Sequence, residues 1–229
     1  MNKTIVVIGA SRGIGRELVL HFAKEESNTV IALARNEKAL SYFESFKNVV
    51  YAKFDLASET VREDLEKILT NYPIIDIAIN NAGTLVNKPF LDLTSEDLTI
   101  SYQVNALGVI QSVQALVPKM LDSGGHIVNI STMGAFQGSA KFAGLTAYST
   151  SKAAVTCFTE LFAEEYKETK LKMNCLCLGA AQTEMLEEAF PGYIAPLSAQ
   201  EMAQYIYDFS LTAHRYMNGK IIPVSLSTP

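Results

Sequence analysis

The apolar run 5–8 stops at Gly9-Ala10-Ser11-Arg12-Gly13-Ile14-Gly15, and a helical pattern begins at once with Arg16 and Glu17. A strand that turns straight into a helix needs a tight turn. Its backbone must also approach closely both the neighbouring chain and whatever faces the helix N-terminus. Glycines spaced GxxxGxG meet those needs, because a side chain would obstruct each approach. The N-terminus of the following helix is a ready anion site, so this turn after a first strand points to the pyrophosphate of a dinucleotide. One such turn would not carry the reading alone, since many strand-to-helix turns collect glycine.

The rest of the chain repeats the same unit. β-branched runs at 3–8, 29–34, 49–54, 75–80, 126–131, 172–178 and 220–224 alternate with helical periodicity at 14–26, 37–46, 59–71, 95–121, 147–167 and 199–210. That alternation predicts an α/β fold: a Rossmann-type, doubly wound parallel sheet of about seven strands with helices on both faces. No linker or repeat interrupts it. With 48% hydrophobic and 19% charged residues the chain can bury a large core, and 1–229 reads as a single dinucleotide-binding domain. The least regular segments, 88–94, 134–146 and 182–198, lie near strand C-terminal ends, where open α/β sheets bind ligands.

Several classes of function are disfavoured. A net charge of −5 without a basic stripe argues against nucleic acid as a partner. The opening MNKTIVVIGAS is too short in its apolar run for a secretory core or a membrane span, which predicts a cytoplasmic protein without a membrane partner. Cys157, Cys175 and Cys177 show no CxxC spacing and read as small buried apolar residues rather than a disulfide or zinc framework. His21, His126 and His214 are scattered without ligand spacing, so no metal is expected.

Taken in order, the motifs resemble those of the short-chain dehydrogenases/reductases. The first turn is similar to the family's TGxxxGIG, with Ile8 where threonine is usual. Asp55-Leu56 follows the third strand like the family's acidic contact to adenine, and Asn80-Asn81-Ala82-Gly83 reproduces its NNAG motif. The likeness continues to 215–224, which looks like the family's last turn and strand. It implies a nicotinamide dinucleotide held by Gly9, Ser11, Arg12, Gly13, Ile14, Gly15, Arg35, Asp55, Asn81, Ala82, Gly83, Tyr148, Lys152 and Thr183. A site for NAD usually carries a carboxylate at the end of the second strand; here that position is Ala34, followed by Arg35. Arg35 and Arg12 together suit a 2′-phosphate, so NADP(H) is expected over NAD(H). The plainer alternative is that both arginines are solvated surface charges.

Tyr148-Ser149-Thr150-Ser151-Lys152 opens a predicted helix, where i to i+4 spacing puts Tyr148 and Lys152 on one face. Such a pair alone is usually structural, but it falls where the family has YxxxK. The resemblance implies that Tyr148 exchanges a proton with the substrate oxygen, that Lys152 lowers its pKa, and that Asn105 holds a water of the proton relay. Thr132 falls at the family's catalytic serine. Ser131 is the alternative, pointing to the opposite face of the strand. Leu178-Gly179 replaces the usual Pro-Gly, the stretch 136–144 lengthens the segment before Tyr148, and 182–198 is a short lid. Met185, Leu186, Phe190, Tyr193 and Ile194 in that lid favour a substrate with hydrophobic surface.

The activity implied is an oxidoreductase moving hydride between NADP(H) and a small-molecule carbonyl or alcohol, with Tyr148 as general acid/base. A catalytically quiet NADP-binding sensor or partner-binding protein is the alternative, favoured by Thr132 and Leu178 and opposed by intact Tyr148, Lys152 and Asn105. Apolar stretches 107–121 and 155–162 resemble the surfaces through which family members assemble, so a homodimer or homotetramer is expected.

Overall fold

Strands buried on both faces read as nearly continuous apolar runs, and the central strands here are mostly apolar and buried. In the computed structural model, which describes residues 2–226, the strands are β1 (Thr4–Ile8), β2 (Thr29–Ala34), β3 (Val49–Lys53), β4 (Ile77–Asn80), β5 (Gly125–Thr132), β6 (Leu171–Leu178), the short pair β7 (Ala181–Gln182) and β8 (Leu197–Ser198), and β9 (Ile221–Val224). Seven of them form one parallel sheet in the order β3-β2-β1-β4-β5-β6-β9, the doubly wound Rossmann-type arrangement expected from the alternation. The winding reverses between β1 and β4, and the cleft opens at the C-terminal ends of those strands. Met1 and 227–229, the ends of the stretch read as one domain, lie outside the described residues.

The helices are α1 (Gly13–Ala23), α2 (Glu37–Leu40), α3 (Val61–Ile68), α4 (Ser95–Tyr102), α5 (Gly108–Met120), α6 (Thr146–Glu165), α7 (Glu184–Ala189) and α8 (Ala199–Thr212). Leu18 and Phe22 of α1 meet Ile206 and Phe209 of α8 on one face of the sheet. Leu65 of α3, Val113 and Leu116 of α5 and Val155 and Phe162 of α6 cover the other. Each such side chain contributes about 1.5–3 kcal/mol on burial, so the sheet is held from both sides.

The helix expected over 95–121 is broken: Gln103–Leu107 forms a π-turn between α4 and α5. Its cause is tertiary, because Asn105 reaches out of the helix to other segments and Gly108 lies so close to Leu56 that a Cβ would sit 2.6 Å from its carbonyl oxygen. The helix expected over 37–46 shrinks to α2 and a 3₁₀ turn, Ser41–Phe43. Cys175 and Cys177 are buried, but Cys157 is on the exposed side of α6, contrary to the expectation that all three are core residues. No described helix is long and apolar enough to cross a membrane.

His126 on β5 is 1% exposed and fully engaged. Asn174 Oδ1 accepts from the Lys220 N–H (3.0 Å), which orients its amide so that Nδ2 donates to His126 Nε2 (3.0 Å). The carbonyl of Ser210 can only accept, so His126 Nδ1 carries the proton and donates to it at 2.9 Å. The ring is therefore neutral, and burial, assisted by His214, lowers its pKa from 6.5 to about 4. Between those values the unfolded chain binds the extra proton and the folded one does not, so stability falls as pH drops from 6.5 towards 4. Urea unfolding at pH 7 and pH 5 should show this group removing about 2 kcal/mol over that step, and the step should be smaller in His126→Gln.

Candidate active site

At the glycine turn, backbone packs on backbone. Gly9 has φ +94°, and a Cβ there would lie 2.5 Å from the Ala82 nitrogen; at Gly15 it would lie 1.9 Å from the Gly9 oxygen. These two glycines serve close packing between the ends of β1, β4 and α1. Gly13 has φ +52°, and a Cβ there would lie 3.2 Å from the Thr183 methyl group. Asn81 Nδ2 donates to the Gly9 carbonyl (3.0 Å), while the Ile8 carbonyl accepts from the N–H groups of Asn81 (3.0 Å) and Ala82 (2.8 Å). The main chain thus makes the tie at position 8, and the Ile8 side chain is left to fill the core.

Beside this junction runs a cleft of about 880 Å³. It brings together Gly9, Ser11, Arg12, Gly13, Ile14, Arg35, Asp55, Asn81, Ala82, Gly83, Thr132, Tyr148, Lys152 and Thr183, but not Gly15 or Asn105. Asp55 accepts from the Ala57 N–H (2.9 Å), which turns the chain after β3. Thr183 caps α7, its hydroxyl accepting from the Leu186 N–H at 3.2 Å. Arg35 is exposed beyond the end of β2. Arg12 is not simply solvated: its guanidinium forks onto both carboxylate oxygens of Glu188 in α7, with Nη2 to Oε2 at 3.0 Å. Each partner holds the other charged, raising the Arg12 pKa and lowering that of Glu188.

At the opposite end, Tyr148 stands in the first turn of α6 and Lys152 one turn on. The Thr132 hydroxyl lies by the Tyr148 phenol and favours its ionised form, while the adjacent Ser131 donates to the Lys152 carbonyl at 3.1 Å. The two residues alternate faces, and Thr132 is the one that reaches the tyrosine. Burial pushes the Tyr148 pKa up to about 12, with the Thr132 bond opposing. Lys152 is 3% exposed and burial lowers its pKa to about 8; its ammonium donates to the carbonyls of Ile130 (2.8 Å) and Ala82 (3.4 Å). Lys152 is not among the causes of the Tyr148 shift, and its ammonium is turned to backbone oxygens.

Asn105 is fully buried at the π-turn. Its Oδ1 accepts from the Thr84 N–H (2.8 Å), and its Nδ2 donates to the Thr84 carbonyl (2.9 Å) and Ser151 Oγ (3.0 Å). The side chain joins the loop after β4 to α6. A Cβ at Gly83 would stand 3.2 Å from both Asn105 Oδ1 and Lys152 Nζ, so glycine lets them share this corner. Replacing Asn105 by Ala orphans both polar groups of Thr84. Urea unfolding should register a loss of about 2 kcal/mol.

Met185, Leu186, Phe190 and Tyr193 line the cleft as expected, whereas Ile194 lies outside it. Phe142, from the 136–144 stretch, also lines it, together with Leu85, Val104, Met133 and Leu145, which sequence reasoning did not single out; Glu188 was missed as well. The i to i+4 pair Glu184 and Glu188 hints at an acidic edge, but its partner Arg12 is 176 residues away in the chain.

The family described as short chain dehydrogenase matches residues 3–193. Dehydrogenase/reductase SDR family member 6 of Xenopus laevis is 32% identical over 190 residues, covering 81% of this chain and 74% of that protein. A diacetyl reductase of Staphylococcus epidermidis is 28% identical over 192 residues, covering 81% of this chain and 74% of its own. A short chain dehydrogenase from Shigella flexneri solved with NADP shares 28% identity and covers 97% of this chain and 96% of its own at a TM-score of 0.86. One from Escherichia coli solved with NADPH shares 29%, again at 97% and 96% coverage and a TM-score of 0.86. With its parallel sheet, its ordered motifs and these matches, the chain belongs to the short-chain dehydrogenase/reductase family of oxidoreductases.

Proposed function

We propose that the protein moves hydride between NADP(H) and a carbonyl or alcohol group, with Tyr148 as general acid/base. The observation that carries this reading is that Thr132, Tyr148 and Lys152 line one end of a cleft whose other end holds Arg35 and the glycine turn. An elongated dinucleotide fits between those ends. Gly9, Ser11, Gly13 and Ile14 would hold its pyrophosphate, Asp55 and Arg35 its adenosine end, and Asn81, Ala82, Gly83 and Thr183 its nicotinamide half. When bound, the nicotinamide supplies hydride chemistry.

The protein's own residues move the proton. Tyr148 presents its hydroxyl to the cleft, protonated at neutral pH and able to donate to a carbonyl oxygen, although burial makes it a weaker acid than a free phenol. Thr132 offers a second hydroxyl to orient that oxygen, in the role serine has in the family. Two of the three Lys152 N–H donors are spent on carbonyls, leaving one for the ribose. Asn105 contributes by holding Thr84 and α6 in register rather than by lining the cleft. The relatives solved with NADP and NADPH support the phosphate-bearing cofactor, and the diacetyl reductase supports a carbonyl substrate.

Two features favour the enzyme over a quiet sensor: Thr132 lies by Tyr148, and Leu178 is paired in register with Thr132 and Val224 while Gly179 N–H donates to the Val224 carbonyl (2.8 Å). A cytoplasmic homodimer or homotetramer belongs to the same reading. The exposed apolar residues Leu107 and Leu161 support the assembly.

Two measurements test the assignment. Tyr148→Phe should bind NADPH as the parent does while carbonyl-dependent NADPH oxidation falls by about 10²-fold or more; near-normal turnover would refute the acid. Glu188→Gln removes the carboxylate that competes with a 2′-phosphate for Arg12. Fluorescence titration should then find the preference for NADPH over NADH raised by about two- to five-fold, the modest size expected of an exposed pair.

A further inference from the structure

Beyond Tyr148 the cleft changes character. Leu85, Met133 and Phe142 face Met185, Phe190 and Tyr193, and no cation lies on these walls. Arg12 and Arg35 are at the phosphate end, and Lys152 is spent on carbonyls. Of the nearby lysines, Lys88 is held by Asp97 (2.7 Å) and Lys141 donates to the Phe136 carbonyl (2.6 Å); neither lines the cleft. The Glu184 carboxylate lies by Gly13, 3.3 Å from where a Cβ there would stand. A ligand carboxylate on these walls would lose its water and gain no partner.

The walls are fastened together. Asn87 Nδ2 donates to the Ala189 carbonyl at the end of α7 (3.0 Å), and the Lys88 N–H donates to the Gly144 carbonyl (3.0 Å). Gly144 has φ +83°, and a Cβ there would fall 2.2 Å from Asn87 Oδ1, so that crossing demands glycine. The apolar surface also continues outward. Phe142 and Tyr193 line the cleft yet are 56% and 49% exposed, and Ile194 beside them is 86% exposed.

We propose that the reacting carbonyl belongs to an uncharged molecule whose apolar chain runs from Thr132 and Tyr148 out between Phe142 and Tyr193, covering the rim. This rests on the reductase reading above. In the reaction the carbonyl carbon gains hydride from NADPH and its oxygen gains the Tyr148 proton, leaving an alcohol and NADP⁺; the chain itself is unchanged and serves for binding.

The test uses the full-length protein and methyl ketones from butanone to 2-decanone, with ω-carboxylated ketones of matching length. Two quantities are read: kcat/KM with NADPH, and affinity in the presence of NADP⁺ by ligand-observed NMR. Both should rise by about three-fold for each added methylene until the chain passes the rim, and the terminal carboxylate should cancel the gain at lengths still inside it. Phe142→Ser and Tyr193→Ser should flatten the rise. A flat length series, carboxylates that bind equally well, or failure of every ketone to bind would each overturn the proposal. Affinity that climbs with length without turnover would uphold the ligand class and defeat the reductase reading, whereas turnover indifferent to length would do the reverse.

Discussion

The site depends on two turns that touch with no side chain between them. At the point where the sheet reverses its winding, the turn after β1 lies against the turn after β4 so closely that Gly9, Gly15 and Ala82 are in backbone contact, with the Asn81 amide closing the joint. This contact holds the N-terminus of α1 open towards the cleft and brings Gly83 to the corner where Lys152 and Asn105 meet. A side chain at either glycine would move both halves of the site together, because one junction positions both.

From that junction outward the cleft is sorted by chemistry. Guanidinium groups gather where β1 and β2 end, and hydroxyls and a phenol gather where β5 meets α6. The far walls are apolar. Buried polar groups between these zones are mostly paired: Ser131 with the backbone of α6, Asn105 with Thr84 and Ser151, Lys152 with two carbonyls. Such pairing is what makes burial of an ammonium and a carboxamide tolerable. The Tyr148 phenol, half-buried on the cleft wall, has its proton affinity raised by desolvation.

Much of this was legible in the sequence. Strand positions follow from β-branched runs, and most observed ends lie within about two residues of the expected ones. The choice of Thr132 over Ser131 follows from strand alternation, and the common face of Tyr148 and Lys152 from helical spacing. What escaped was tertiary in origin. Gln103-Val104-Asn105-Ala106-Leu107 is as helical in composition as its neighbours, and the break there is explained by the bonds from Asn105 to Thr84 and Ser151 and by the close approach of Gly108 to Leu56. The pairing of Arg12 with Glu188 and the clasp made by Asn87 join segments that carry no mark of each other. Cys157 was read as buried because the cysteines lack CxxC spacing, while its angular position on α6 turns it outward.

The π-turn has a consequence for chain length. Each residue advances an α-helix by about 100°, and a π-turn accommodates one residue more than the α-helical path would use. The apolar face that α5 presents, Val109, Val113, Leu116 and Met120, is therefore phased by that surplus residue. Were these five residues wound as ordinary α-helix, the face would swing about 100° away from α3 and the sheet, whereas deleting one residue between 103 and 107 would let α4 run smoothly into α5 with the face still in phase. At this point the number of residues is a constraint separate from their identity: the local irregularity acts as a phase offset between two helices that are each regular.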